Sequence, residues 1–134
     1  MFDRHGAIGV FDSGVGGLTV VRQIEARLPA ESVIYLGDTA RVPYGTKSAE
    51  TVIRYAESCA RILLERDIKM LVVACNTASA FALEALQERL DIPVLGVVEP
   101  GAQAAVRATK SRRIGVIGTS GTIQSKRYET TIQR

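Results

Sequence analysis

Ala7-Ile8-Gly9-Val10-Phe11, followed at once by Asp12-Ser13-Gly14-Val15-Gly16-Gly17 and then by Leu18, is the stretch that decides the fold. The first five residues read as a short buried strand, and the six glycine-rich residues after it must turn. Beyond the turn, Leu18, Val21, Ile24 and Leu28 recur along one face, which predicts a helix over 18–28. A strand, a tight glycine turn and a helix make the first half of a βαβ unit.

The same alternation repeats outward. Ser32 to Leu36 reads as a second strand and 37–46 as a long loop. Ser48 to about Arg66 is the clearest helix, with Ala49, Val52, Ile53, Ala56, Cys59, Ala60, Leu63 and Leu64 at helical spacing. Ser48 is its expected N-cap, and Glu50 and Glu57 lie towards the positive end of the dipole. Met70 to Ala74 is a third strand, wholly apolar, as a strand buried on both faces should be. Ala80 to Leu90 reads as a helix stopped by Asp91-Ile92-Pro93, and Val94 to Val98 as a fourth strand. A helix from Gly101 to about Lys110 follows Pro100, then a fifth strand over Arg113 to Ile117, and a helical tail after Gly118-Thr119-Ser120-Gly121-Thr122. The expected class is α/β: an open parallel sheet with flanking helices, a Rossmann- or flavodoxin-like lobe, plus the start of a second similar lobe. Residues 1–98 are the expected N-terminal lobe, and 99–134 the crossover helix and the beginning of the second.

Composition agrees. The 134 residues are 46% hydrophobic and 23% charged, which suits one globular domain and excludes a disordered or collagen-like chain. No apolar run approaches the roughly 20 residues of a membrane helix, and the N-terminus does not read as a secretory signal. The net charge of +3 is uneven: from Arg107 onward seven Lys and Arg face one acid, Glu129. Only one aromatic residue, Tyr128, accompanies that cluster, too few for a stacking surface, so it reads as a solvated face and not as a nucleic-acid surface. Two cysteines sixteen positions apart, Cys59 and Cys75, and a lone His5 make neither a redox pair nor a zinc site. They fit a reducing cytoplasm.

In an open parallel sheet, ligands bind past the carboxyl ends of the strands. The sequence places Asp12, Ser13 and three glycines there after the first strand, and Asp38, Thr39 and Pro43-Tyr44-Gly45 after the second. Cys75-Asn76-Thr77 follow the third, Glu99-Pro100 the fourth, and Thr119, Ser120 and Thr122 the fifth. The glycine turn is neither a dinucleotide fingerprint nor a P-loop, and Asp12 at its head would repel a phosphate. Its backbone N–H groups at the helix start suit a carboxylate, with Ser13 as a further donor; the plainer reading is a turn whose glycines only relieve crowding. Cys59 falls in the apolar stripe of the long helix and reads as a core thiol. Cys75 ends a buried strand and faces the crevice, where N–H groups of the next helix favour thiolate. Asp12 projects from the same sheet edge. Tyr44 reads equally as a loop anchor, and Asn76 and Thr77 as capping residues. Lys47 makes only a weak case for a Schiff base, and no cofactor is expected.

With these residues in view, the run Ile8-Gly-Val-Phe-Asp-Ser-Gly-Val-Gly-Gly-Leu18, the Pro43-Tyr44-Gly45 loop and Val73-Ala-Cys-Asn-Thr-Ala-Ser79 together resemble the aspartate/glutamate racemase family, and within it glutamate racemase. The resemblance runs from about residue 7 to the end. It implies a cofactor-independent enzyme in which two α/β lobes close on glutamate, and a thiolate on one face of the α-carbon removes a proton while a thiol on the other face delivers one. Cys75 matches the thiol that acts on D-glutamate, and Asp12 the acid beside it. Ser13, Tyr44, Gly45, Asn76, Thr77, Thr119 and Thr122 match residues that hold the substrate. The resemblance also implies a cytoplasmic enzyme supplying D-glutamate to peptidoglycan and so to the cell wall. Its partner is a small molecule, not nucleic acid or membrane, with room for a homodimer at full length.

One departure matters. The family's second cysteine lies in a downstream Cys-Thr-His sequence, which does not occur here, and Cys59 sits in no matching motif. The chain is therefore expected to be the first half of a racemase, truncated and inactive by itself. The alternatives are an aspartate racemase, against which the Asp-Ser-Gly-Val-Gly-Gly run argues, and a non-catalytic amino-acid-binding α/β module. A nucleotide-binding module ranks behind both.

Overall fold

A computed structural model describes residues 5–134. The strands are β1 (Ala7–Asp12), β2 (Val33–Gly37), β3 (Ile68–Val73) and β4 (Val94–Gly96). The helices are α1 (Leu18–Arg27), α2 (Ala49–Leu64), α3 (Asn76–Phe81), α4 (Leu83–Arg89), α5 (Val98–Ala108), α6 (Ser120–Gln124) and α7 (Arg127–Ile132). The sheet order is β2-β1-β3-β4, parallel throughout. β1 pairs on both sides, Val10 opposite Tyr35 of β2 and Val72 of β3, and every one of its residues is buried. The α/β architecture with one open parallel sheet is as expected.

Side chains alternate across the sheet with period two. Ile8, Val10 and Ala74 face the side covered by Val20, Val21 and Ile24 of α1. Phe11, Leu71, Val73 and Cys75 face the larger core, filled by Val52, Ala56, Cys59, Ala60 and Leu63 of α2 and by Ala78, Ala82 and Leu86. The spacing along α2 thus appears as its buried face, and the Ser48 hydroxyl caps the helix, accepting from Thr51 N at 3.2 Å.

Four expectations change. The fourth strand ends at Gly96 and not at Val98, and α5 starts at Val98, three residues before the expected Gly101. β3 is not buried along its whole length: Lys69, Met70 and Val72 are half-buried, because α1 covers its side of the sheet thinly and contributes no fully buried residue. The helix expected from Ala80 begins instead at Asn76, because Cys75 caps it: its Sγ accepts from Ala78 N at 3.4 Å. That helix also breaks at Ala82 into α3 and α4. Finally, residues 113–117 form no strand among the described residues. They alternate like one, but α5 carries the chain away from β4 and no neighbouring backbone offers a ladder. Ile117 is 99% exposed as a result. No helix among the described residues is long and apolar enough to cross a membrane.

Candidate functional site

The carboxyl ends of β1 and β3 open into a cavity of about 850 Å³. Its lining includes Asp12, Ser13, Tyr44, Gly45, Cys75, Asn76, Thr77, Thr119 and Thr122, so the nine residues picked out by the resemblance meet in one place. They come from four separate segments, of which β1 and β3 are adjacent in the sheet.

Cys75 is the centre of the arrangement. It is 6% exposed, and its Sγ lies 3.3 Å from Ser13 Oγ, to which the thiol donates. The amide of Ala78 points at the same sulfur. When the sulfur carries a charge, the Ser13 hydroxyl can turn and donate instead, so both neighbours then act as donors to a thiolate.

Asp12 is held differently. Its Oδ2 accepts from Gly17 N at 2.8 Å, and the Tyr35 hydroxyl lies 3.4 Å away while donating to the Gly14 carbonyl at 2.8 Å. Gly17 is glycine because a Cβ there would stand 2.7 Å from Asp12 Cβ. Asp12 and Cys75 thus share the cavity but each has its own set of partners. The N–H groups of Gly17, Leu18 and Thr19 are engaged by Asp12, Val15 and Gly16 respectively, so these three donors are committed within the turn.

Burial, and next the charge of Asp12, push the Tyr35 hydroxyl up to about 12. A phenol raised in the folded state adds stability that is complete below its unfolded value near 10 and is lost as pH rises through about 12. The urea midpoint should therefore fall over that interval, and Tyr35→Phe should make the fall shallower. An unchanged slope in the variant would remove Tyr35 from this role.

The Pro43-Tyr44-Gly45 loop follows a cis Val42–Pro43 bond. Tyr44 is 1% exposed, and its hydroxyl donates to Asp38. It therefore anchors the loop, and its hydroxyl is committed to Asp38. Asp38 also accepts from Arg41 Nε at 2.6 Å, and Arg41 stacks on Tyr55 at 4.3 Å. Asp38 directly follows β2, as expected, but is turned into the core and does not line the cavity. Gly45 is pressed against Thr119, where a Cβ would collide, and its carbonyl accepts from Gly121 N at 2.9 Å.

Three hydroxyls close the far wall. Thr77 lies 2.9 Å from Thr119 and 3.0 Å from Thr122, which are 3.1 Å apart. Each has one proton and two lone pairs, so the ring can satisfy itself or redirect protons to a ligand carboxylate. Glu99 and Ser120, also expected at the rim, do not line the cavity; Glu99 lies in the first turn of α5 and takes a bond from Gln103. Tyr128, which the sequence offered only as part of a helical tail, does line it and donates to Asn76 Oδ1 at 2.6 Å.

Cys59 is 1% exposed inside the core, with Arg41 donating to its sulfur at 3.5 Å. Burial first, and then the charge of Asp38, push its thiol up. Among the described residues no group of three or more His, Cys, Asp or Glu is placed to hold a metal.

The family model described as Asp/Glu/Hydantoin racemase matches residues 8–134. Over 128 residues the chain is 66% identical to a glutamate racemase of Geobacter metallireducens, covering 96% of this chain and 47% of that protein. A glutamate racemase isoform from Bacillus anthracis superposes with a TM-score of 0.94 at 53% identity, covering 98% of this chain and 49% of that one. The glutamate racemase of Francisella tularensis, solved in complex with D-glutamate, superposes at 0.87 and 42% identity, covering 96% and 48%. The chain spans about half the length of the curated relatives it matches.

Proposed function

For this chain, which belongs to the Asp/Glu/Hydantoin racemase family, we propose that it forms the lobe of a glutamate racemase that carries the first of two opposed thiols. Cys75 as thiolate takes the α-proton of D-glutamate, forming an S–H bond as the C–H pair moves into the α-carboxylate system. A thiol on the opposite face, outside this chain, then delivers a proton to that carbon. Asp12 stands beside the reacting centre to steer the substrate ammonium. Ser13, Asn76, Thr77, Thr119 and Thr122, with the loop at Tyr44 and Gly45, hold the two carboxylates. The lobe is residues 1–98, and 99–134 lead into the second. No cofactor takes part; in the reverse direction the opposing thiolate takes the α-proton of L-glutamate and the Cys75 thiol delivers one, which makes D-glutamate for peptidoglycan.

The observation that carries this reading is the surroundings of Cys75: a strand-end thiol between Ser13 Oγ and Ala78 N in a cavity walled by hydroxyls. A lone thiolate returns its proton to the face it came from, so inversion needs the opposing acid. The 134-residue chain should therefore bind D-glutamate without changing its optical rotation. A protein in which the chain is followed by a second lobe bearing that thiol should racemise it, unaffected by exhaustive chelation. Sustained loss of rotation with the chain alone, or dependence of the joined protein on a metal, would overturn the reading.

A further inference from the structure

We infer that Tyr128 is a positioning residue that locks the Asn76 side-chain amide with its NH₂ group facing the cavity, as a donor to a ligand carboxylate. The inference rests on the reading of the cavity as an amino-acid site and names what orients one of its walls.

Asn76 is the first residue of α3, next to Cys75, and its side chain is exposed at the cavity. An amide there can present either its carbonyl or its NH₂. A carbonyl facing a carboxylate repels it, whereas NH₂ offers two donors. The Tyr128 hydroxyl decides between them: its proton is spent on Oδ1 at 2.6 Å, which leaves Nδ2 as the free end. A phenol is a strong donor and a poor acceptor, so the opposite flip is disfavoured.

Tyr128 is itself held. Its hydroxyl and ring lie over Gly101 of α5, where a Cβ would stand 3.3 Å from Oη. The neighbouring Arg127 donates from Nε to Ala80 O at 3.2 Å and pairs with Glu84 at 2.8 Å. The start of α7 therefore grips α3 near both ends, through Tyr128 on Asn76 and through Arg127 on Ala80. The turn that aims it places Lys126 in the left-handed region, φ 56°, with Arg127 N donating to Ser125 Oγ at 3.2 Å. A non-glycine residue adopts that conformation only where its surroundings require it.

The test is an NMR titration of the chain with D-glutamate, following the Asn76 side-chain amide. Tyr128→Phe keeps the ring over α5 and removes only the hydroxyl. It should shift the Asn76 amide pair without ligand and weaken D-glutamate binding about fivefold. In an Asn76→Ala background, Tyr128→Phe should have no further effect. Unchanged Asn76 resonances, unchanged affinity, or an equal loss in the Asn76→Ala background would each overturn the inference, the last because it marks a structural effect that bypasses Asn76. If the unmutated chain bound no glutamate, the reading of the site would fall, while the ligand-free shift would still decide whether Tyr128 orients the amide.

Discussion

In a protein that joins this chain to an opposing lobe, Cys75→Ala should lower the rate of glutamate racemisation by at least about a thousandfold, the loss expected when a proton-transferring group is removed. Cys59→Ala should leave that rate within about twofold, because the two thiols sit in unlike places. Cys75 lines the cavity, with Ser13 Oγ at 3.3 Å and Ala78 N at 3.4 Å from its sulfur. Cys59 lies among Val52, Ala56 and Leu63 on the core face of α2, where burial holds it as a neutral thiol. Its removal empties a small volume and takes a partner from Arg41, at a cost of about 1–2 kcal/mol in stability. Polarimetry on both variants at matched folding, judged by circular dichroism, decides the matter. Comparable losses of activity would mean that the base has been assigned to the wrong sulfur.

The largest effect on stability is expected from Phe11→Ala, about 3–5 kcal/mol. Phe11 is fully buried, and its ring meets Tyr44 at 6.1 Å between centroids, tilted by 50°. Tyr44 in turn meets Tyr55 at 5.5 Å, so one aromatic row ties β1 to the 43–45 loop and to α2. A loss of that size is a large part of the roughly 5–15 kcal/mol that holds an ordinary domain together. Because Asp12 and Ser13 come directly after Phe11, the cavity should loosen along with the core. Urea unfolding measures the loss, and Phe11→Leu should recover most of it. A loss below about 1 kcal/mol for alanine would mean that this row does not anchor the sheet.

Much of this molecule can be read residue by residue. Apolar runs, glycine turns and helical spacing mark β1, α1, β2 and α2, because each is a local pattern whose period matches one kind of backbone. The distinction between Cys59 and Cys75 is local too: one lies in a helix stripe, the other at the end of a strand. The resemblance to racemases rests on three short motifs, each contained within a few residues.

What needed the tertiary structure depends on partners far along the chain. Residues 113–117 have the alternation of a strand, yet a strand exists only where a neighbour supplies the ladder, and none of the described residues does. The Tyr44 hydroxyl was free in the sequence to face either substrate or core, and the buried carboxylate of Asp38 turned it inward. Helix α3 starts four residues before the expected position because the Cys75 sulfur caps it, a use that sulfur seldom signals in a sequence. Ser13 meets Cys75 across 62 positions, Tyr128 meets Asn76 across 52, and Thr77 meets Thr122 across 45. The amino-acid sequence determined which segments become strands and helices and which side chains carry chemistry, since propensity and periodicity act over one or two turns. Which of those side chains touch was decided by the order of the parallel sheet and the packing of α5 and α7, because a hydrogen bond depends on distance in space and not on separation along the chain.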